Sequence, residues 1–185
     1  MTKINSLYLL LAVALVQLYV PAKMVVDNET IVRNGTVHKF KTAPIDPSDP
    51  FRGRYILLNF EASSVNVINP DEWDNNEEVF LQLTHDESGF SEIAGVSKTL
   101  PDGISDFVKA KVSYVTYDSI PKIMIDYPFA RFYMEESKAP KAEEIVFKAA
   151  IDTNSITYAI VYIKNGTAVV TDVMVNNHSL KELAT

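Results

Sequence analysis

Residues 44–60 read Pro44-Ile45-Asp46-Pro47-Ser48-Asp49-Pro50-Phe51-Arg52-Gly53-Arg54-Tyr55-Ile56-Leu57-Leu58-Asn59-Phe60. Each of the three prolines fixes its own φ near about −65° and pushes the residue before it toward extended conformations, so this stretch is neither helix nor central strand. It is a corner shaped in advance. Gly53 gives a turn position without a side chain, and residues 54–61 predict a strand with apolar residues on both faces.

Outward from that strand, residues 36–42, 78–86, 90–100, 106–118 and 121–126 are short runs rich in Val, Ile, Phe and Tyr, separated by turn residues such as Ser88-Gly89 and Asp118-Ser119. The pattern predicts a meandering antiparallel sheet or small barrel. Val79, Leu81 and Leu83 alternate with Phe80, Gln82 and Thr84, so one face of that strand should be buried. Near the end, residues 155–164 and 167–175 flank Asn165-Gly166, a pair that tolerates the positive φ of a two-residue hairpin turn. Between them and the earlier strands, residues 137–151 predict a short helix, with Pro140 near its first turn, Glu143 and Glu144 early and apolar residues later. The predicted fold class is mainly β (α+β), with a membrane helix ahead of an antiparallel β-rich domain.

Leu7 to Val20 is almost wholly apolar, interrupted by Tyr8, Gln17 and Tyr19. Alone it spans about 21 Å as a helix, short of a hydrocarbon core of roughly 30 Å. Extended from Ile4 to Val26 it reaches about 34 Å, with Lys23 able to snorkel. An uncleaved anchor contacting membrane lipid is predicted; a cleaved signal ending near Val20-Pro21-Ala22 and a buried soluble helix are the rivals. Charges from Lys23 to Arg33 suggest that the helix continues past the membrane until Gly35 stops it. The expected division is therefore 1–33, anchor and stalk, and 34–185, β-rich extracytoplasmic domain.

The corner and strand resemble the family named for its GDYXXLXY motif. Residues Gly53-Arg54-Tyr55-Ile56-Leu57-Leu58-Asn59-Phe60 keep its glycine, first tyrosine and leucine, with Arg54 in place of aspartate and Phe60 in place of the last tyrosine. Motif positions by this likeness are Asp46, Pro47, Asp49, Arg52, Gly53, Arg54, Tyr55, Leu58 and Phe60. Tyr127-Pro128-Phe129-Ala130-Arg131-Phe132-Tyr133-Met134-Glu135 is the second family-like stretch. The resemblance implies a membrane-anchored protein without an assigned reaction, and a multi-pass membrane protein as its partner. The anchored β architecture also looks distantly like type I signal peptidases, although Ser48 in Pro-Ser-Asp-Pro is a turn residue and no methionine follows it.

Asp46, Asp49, Arg52 and Arg54 bring opposite charges together, as a network that holds the corner or as a site for a polar ligand. Arg131, Phe132, Tyr133 and Glu135 predict either a partner surface or a strand with inward aromatics and paired charges at its rim. A net charge of −7 argues against nucleic acid as a partner. The absence of cysteine excludes thiol chemistry and disulfides, and fits a bacterial envelope protein. His38, His85 and His178 lack metal-ligand spacing, and the eight Asp and Glu residues between Asp71 and Glu92 lack a calcium-loop pattern. No metal, cofactor or catalytic residue is expected. The leading expectation is a non-enzymatic membrane-anchored envelope protein, single-pass with its C-terminal domain extracytoplasmic, acting through contact with another membrane protein. The alternative is an envelope hydrolase or small-ligand-binding protein using the corner from Asp46 to Arg54.

Overall fold

The computed structural model describes residues 3–42, 55–100, 103–104, 106–152 and 154–185. The chain opens with helix α1 (Lys3–Asn34), 32 residues that run through Pro21. At 1.5 Å per residue the helix is about 48 Å long. Its stretch Tyr8–Asn34 is long and apolar enough to cross a membrane. Among the described residues the apolar part is left uncovered, whereas the last turns pack on the domain and bury Ile31. The helix continues past Val26 as its charge pattern predicts, and its exposed ion pairs Lys23–Asp27 and Glu29–Arg33 lie one turn apart.

The strands, in chain order, are β1 (Thr36–Lys41), β2 (Tyr55–Leu57), β3 (Ser64–Asn66), β4 (Glu78–His85), β5 (Ser91–Ser97), β6 (Phe107–Thr116), β7 (Lys122–Asp126), β8 (Arg131–Tyr133), β9 (Thr157–Lys164), β10 (Thr167–Val175) and β11 (His178–Ser179). Helix α2 (Ala139–Ile151) precedes β9, and a four-residue α3 (Leu180–Leu183) follows β11. One antiparallel sheet has the order β1-β9-β10-β11, a second β3-β7-β6-β4-β5, and β2 pairs with β8 as a separate ribbon. The fold is β-rich and antiparallel as its residue patterns predict, but its sheets combine the local hairpins β4–β5, β6–β7, β9–β10 and β10–β11 with the non-consecutive pairings β1–β9, β2–β8, β3–β7 and β4–β6, so they are not one meander.

Both long sheets contribute to a single core. Val79, Leu81 and Leu83 of β4 face it, while the alternating residues of that strand are more exposed. From α2, Ala142, Val146 and Ala149 enter at three- and four-residue spacing, the apolar stripe of an amphipathic helix. Phe40, at 0% exposure, is the centre of an aromatic group with Phe60, Tyr127 and Phe129, ring centres 5.3 to 5.7 Å from its own.

The β9–β10 turn has φ 51° at Asn165 and 79° at Gly166, the left-handed pair that a tight hairpin requires. The same turn joins the sheets: Lys109 N–H donates to Gly166 O at 2.9 Å, and a Cβ at Gly166 would meet the Phe107 ring at 2.5 Å. A second tight hairpin escapes the sequence reading. Asn176 and Asn177, with φ 50° and 65°, turn β10 into β11 so that Val175 pairs with His178. His178 is therefore on a strand.

Candidate functional site

The motif strand and the second family-like stretch are neighbours. In the β2–β8 ribbon, Tyr55 lies opposite Tyr133, Ile56 opposite Phe132, and Leu57 opposite Arg131. Alternation then sorts the side chains by face. Ile56 and Phe132 are buried, at 4% and 2% exposure, whereas Leu57 and Tyr133 are exposed at 47% and 65%. On the outer face the Tyr55 and Tyr133 rings lie 5.7 Å apart at 57°, and the Arg131 guanidinium is 5.4 Å from the Tyr55 ring centre. Aromatic contact and cation–π attraction thus arrange this face before anything binds to it.

The even-numbered motif residues continue inward. Leu58 N–H donates to Ala130 O at 2.7 Å, and Phe60 leaves the ribbon to bridge Thr42. At 4% exposure among Phe40, Tyr127 and Phe129, Phe60 has an apolar setting in which a ring without a hydroxyl fits. Tyr127 needs its own outlet: its hydroxyl donates to Ala62 O at 2.6 Å, and burial pushes its pKa far up. Phe132 belongs to the core, so the outer surface is left to Tyr133 and Arg131. Glu135 follows on the turn into α2, exposed, with Lys138 at 3.7 Å. Asp46, Pro47, Asp49, Arg52, Gly53 and Arg54 lie outside the described residues, as does the charge network expected among the four charged residues of the corner.

A second polar constellation joins residues that the sequence gives no reason to group. His38 of β1, fully buried, has Nδ1 3.0 Å from Ser91 Oγ and its ring stacked 5.3 Å from that of His85. Its Nε2 lies 2.9 Å from Asp106 Oδ1, but the oxygen is out of line with an N–H, making a close charge contact without an aligned hydrogen bond. Ser91 O–H donating to Nδ1 leaves the ring proton on Nε2, toward Asp106 but out of line with it. The residue types are those of a nucleophilic relay. However, Ser91 is only 3% exposed and the Asp106 contact is misaligned, so the set ties β1 to β5 and to the start of β6. One signal pointed inward: His38 shares a strand face with Phe40.

Beside this set a cavity of about 260 Å³ is lined by Lys41, Glu61, Asp86, Phe90, Ser91 and Glu92, among others. Lys41 Nζ lies 3.4 Å from Asp86 and 4.6 Å from the Phe90 ring centre. Backbone N–H groups of Phe90 and Ser88 donate to Asp86 and hold its carboxyl below the usual range, with Lys41 assisting. Arg131 and Glu135 are not among the lining residues. Among the described residues, no group of three or more His, Asp or Glu is placed to hold a metal.

Burial lowers the His38 pKa, with His85 reinforcing it and Asp106 opposing it. The unfolded chain therefore binds more protons than the folded one at pH values below about 6.5 and above the folded pKa. His38 should make stability complete above pH of about 6.5 and falling as pH drops below it, by at most about 1.4 kcal/mol per pH unit for one proton. Asp86 and Glu77, whose pKa values are also lowered, act at the lower pH where carboxylates titrate. Urea midpoints of the parent and of His38→Gln between about pH 7.5 and 5.5 check this. A parent slope that persists unchanged in the variant would assign it to another group.

Comparison with curated proteins and with solved structures returns no match. A family model described as GDYXXLXY protein matches residues 17–173, a span that takes in the second half of α1, the motif strand, its partner β8 and most of the β9–β10 hairpin. On that match over most of its length, the chain belongs to the GDYXXLXY protein family.

Proposed function

We propose that this is a membrane-anchored envelope protein that acts by contact and without catalysis. Helix α1 holds the domain at the outer membrane–water interface with the N-terminus inside, and the outer face of the β2–β8 ribbon docks on another membrane protein. The observation that carries this reading is the meeting of the two family-like stretches in one ribbon whose exposed face bears Tyr55, Leu57, Arg131 and Tyr133. Tyr and Arg are the residues in which interface energy concentrates, and here they stand on paired strands that lose little freedom on binding. The long helix supports the membrane placement, and the multi-pass partner is the one that family resemblance implies. The cysteine-free composition fits a bacterial envelope.

Tagged full-length protein, solubilised from membranes in mild detergent, should retain its N-terminal peptide and recover one particular membrane protein. Tyr133→Ala and Arg131→Ala should each reduce that recovery by about 30-fold, the equivalent of roughly 2 kcal/mol for a hot-spot residue. Their melting temperatures should remain close to the parent's, since both side chains are exposed. A chain starting at Lys23 would refute the anchor. Undiminished recovery with both variants would remove the ribbon as the contact.

A further inference from the structure

Between Leu7 and Val20, the helix α1 residues that are not aliphatic are Tyr8, Tyr19 and Gln17. The tyrosines suit the two interfaces, but Gln17 stands within about one turn of the midpoint of residues 4–26. Its amide has two N–H donors and a carbonyl acceptor, and makes no hydrogen bond among the described residues. The backbone at the same level loses its regular helical donor as well. Pro21, four residues on inside the helix, has no N–H to give to the Gln17 carbonyl. Side-chain amide and backbone carbonyl therefore form one polar spot in the hydrocarbon, on a helix segment that the other described residues leave uncovered. Groups of this kind are costly in lipid unless another helix satisfies them.

We infer that α1 pairs in the membrane with α1 of a second copy of this chain through Gln17. A copy anchored by the same helix in the same orientation places its own Gln17 at the same depth. An amide is complementary to itself, donating through N–H and accepting through O, and the carbonyl freed by Pro21 adds a second acceptor. Ala14, one turn before Gln17, is small enough to let the helices approach there. The stalk does not oppose pairing. Its four charges, Lys23, Asp27, Glu29 and Arg33, sum to zero and are matched within each helix. The inference rests on the membrane placement proposed above and adds to it the partner of the helix.

The chain has no cysteine, so a single Ser137→Cys at an exposed turn allows one donor or acceptor dye per full-length molecule. In vesicles of neutral phospholipid, energy transfer should rise with the protein-to-lipid ratio and vanish on dilution with excess lipid. Gln17→Leu, which leaves the span more apolar, should weaken association about fivefold to thirtyfold, the range for one amide contact between membrane helices. Gln17→Asn, which keeps the amide, should retain most of it. No transfer in the parent at high surface density, or transfer unchanged by Gln17→Leu, would overturn the inference. So would loss of a different membrane protein on Gln17→Leu without loss of self-association. A membrane-resident monomer would refute this pairing alone, whereas a mature chain lacking residues 1–22 would refute the anchor as well.

Discussion

Phe40→Ala should be among the most destabilising single substitutions in the domain. The side chain is fully buried, and three rings with centres 5.3 to 5.7 Å away form its surroundings. They come from two separate segments, Phe60 after the ribbon strand and Tyr127 and Phe129 between β7 and β8. Tyr127 is further held by its bond to Ala62 O, so the neighbours cannot easily collapse into the vacated space. Removing a buried phenylalanine costs about 3–5 kcal/mol, with the upper half expected where collapse is restricted. Against a total stability of roughly 5–15 kcal/mol, that loss should lower the melting temperature of the full-length protein in detergent by about 10 °C or more. Phe147→Ala is the control, because Phe147 is 46% exposed on α2. It should cost about 1 kcal/mol or less. If Phe40→Ala melts like this control, the aromatic group is not the centre of the core.

The parts of the fold legible in sequence are those set by neighbours in the chain. Asn165-Gly166 between alternating strands specifies its hairpin because the turn itself fixes the register. In the same way, Pro140 near the first turn, early acids and later apolar residues specify helix α2, although not its buried side, since Phe147 is exposed while Ala142, Val146 and Ala149 are buried. The motif strand marks the limit of such reasoning. Residues 54–61 read as one strand, yet the ladder with β8 ends at Leu57, after which the extended chain bonds Ala130 and then bridges Thr42 at Phe60. That change of partner depends on where distant segments end. The pairing of β2 with β8 is equally invisible locally, since it joins residues far apart in sequence. For the polar set at His38, the alternation with Phe40 indicates burial, but nothing local indicates Ser91, His85 or Asp106 as its surroundings. Asn176-Asn177 was a legible turn signal, obscured because the returning strand β11 has only two residues.

Gly35→Ala should break the joint between helix and domain. Gly35 N–H donates to Ile31 O at 2.7 Å, closing the last turn of α1, and the chain enters β1 at the next residue. A Cβ at this position would lie 2.5 Å from Ile31 O and 2.9 Å from Ile163 O. Both obstacles are backbone atoms, one in the helix and one in the central strand β9, so no rotamer change relieves the contact. Either the helix end must lift from the sheet, exposing Ile31, or β1 must shift from its register with β9. Overpacking of this kind costs about 1–3 kcal/mol and sometimes more, and the rigid neighbours argue for the upper end, with Gly35→Val above it. Hydrogen exchange should localise the damage, with faster exchange from Ile31 to Lys41 and little change in β4 to β7. The joint also has a consequence for function. In the placement proposed above, a helix continuous with the sheet fixes the height and direction of the β2–β8 face above the membrane, and preset geometry reduces the entropic cost of docking. Gly35→Ala should therefore lower recovery of the proposed membrane partner even under conditions where the domain remains folded. Partner recovery equal to the parent's, with the helix end demonstrably loosened, would mean that the anchor acts as a tether and does not orient the domain.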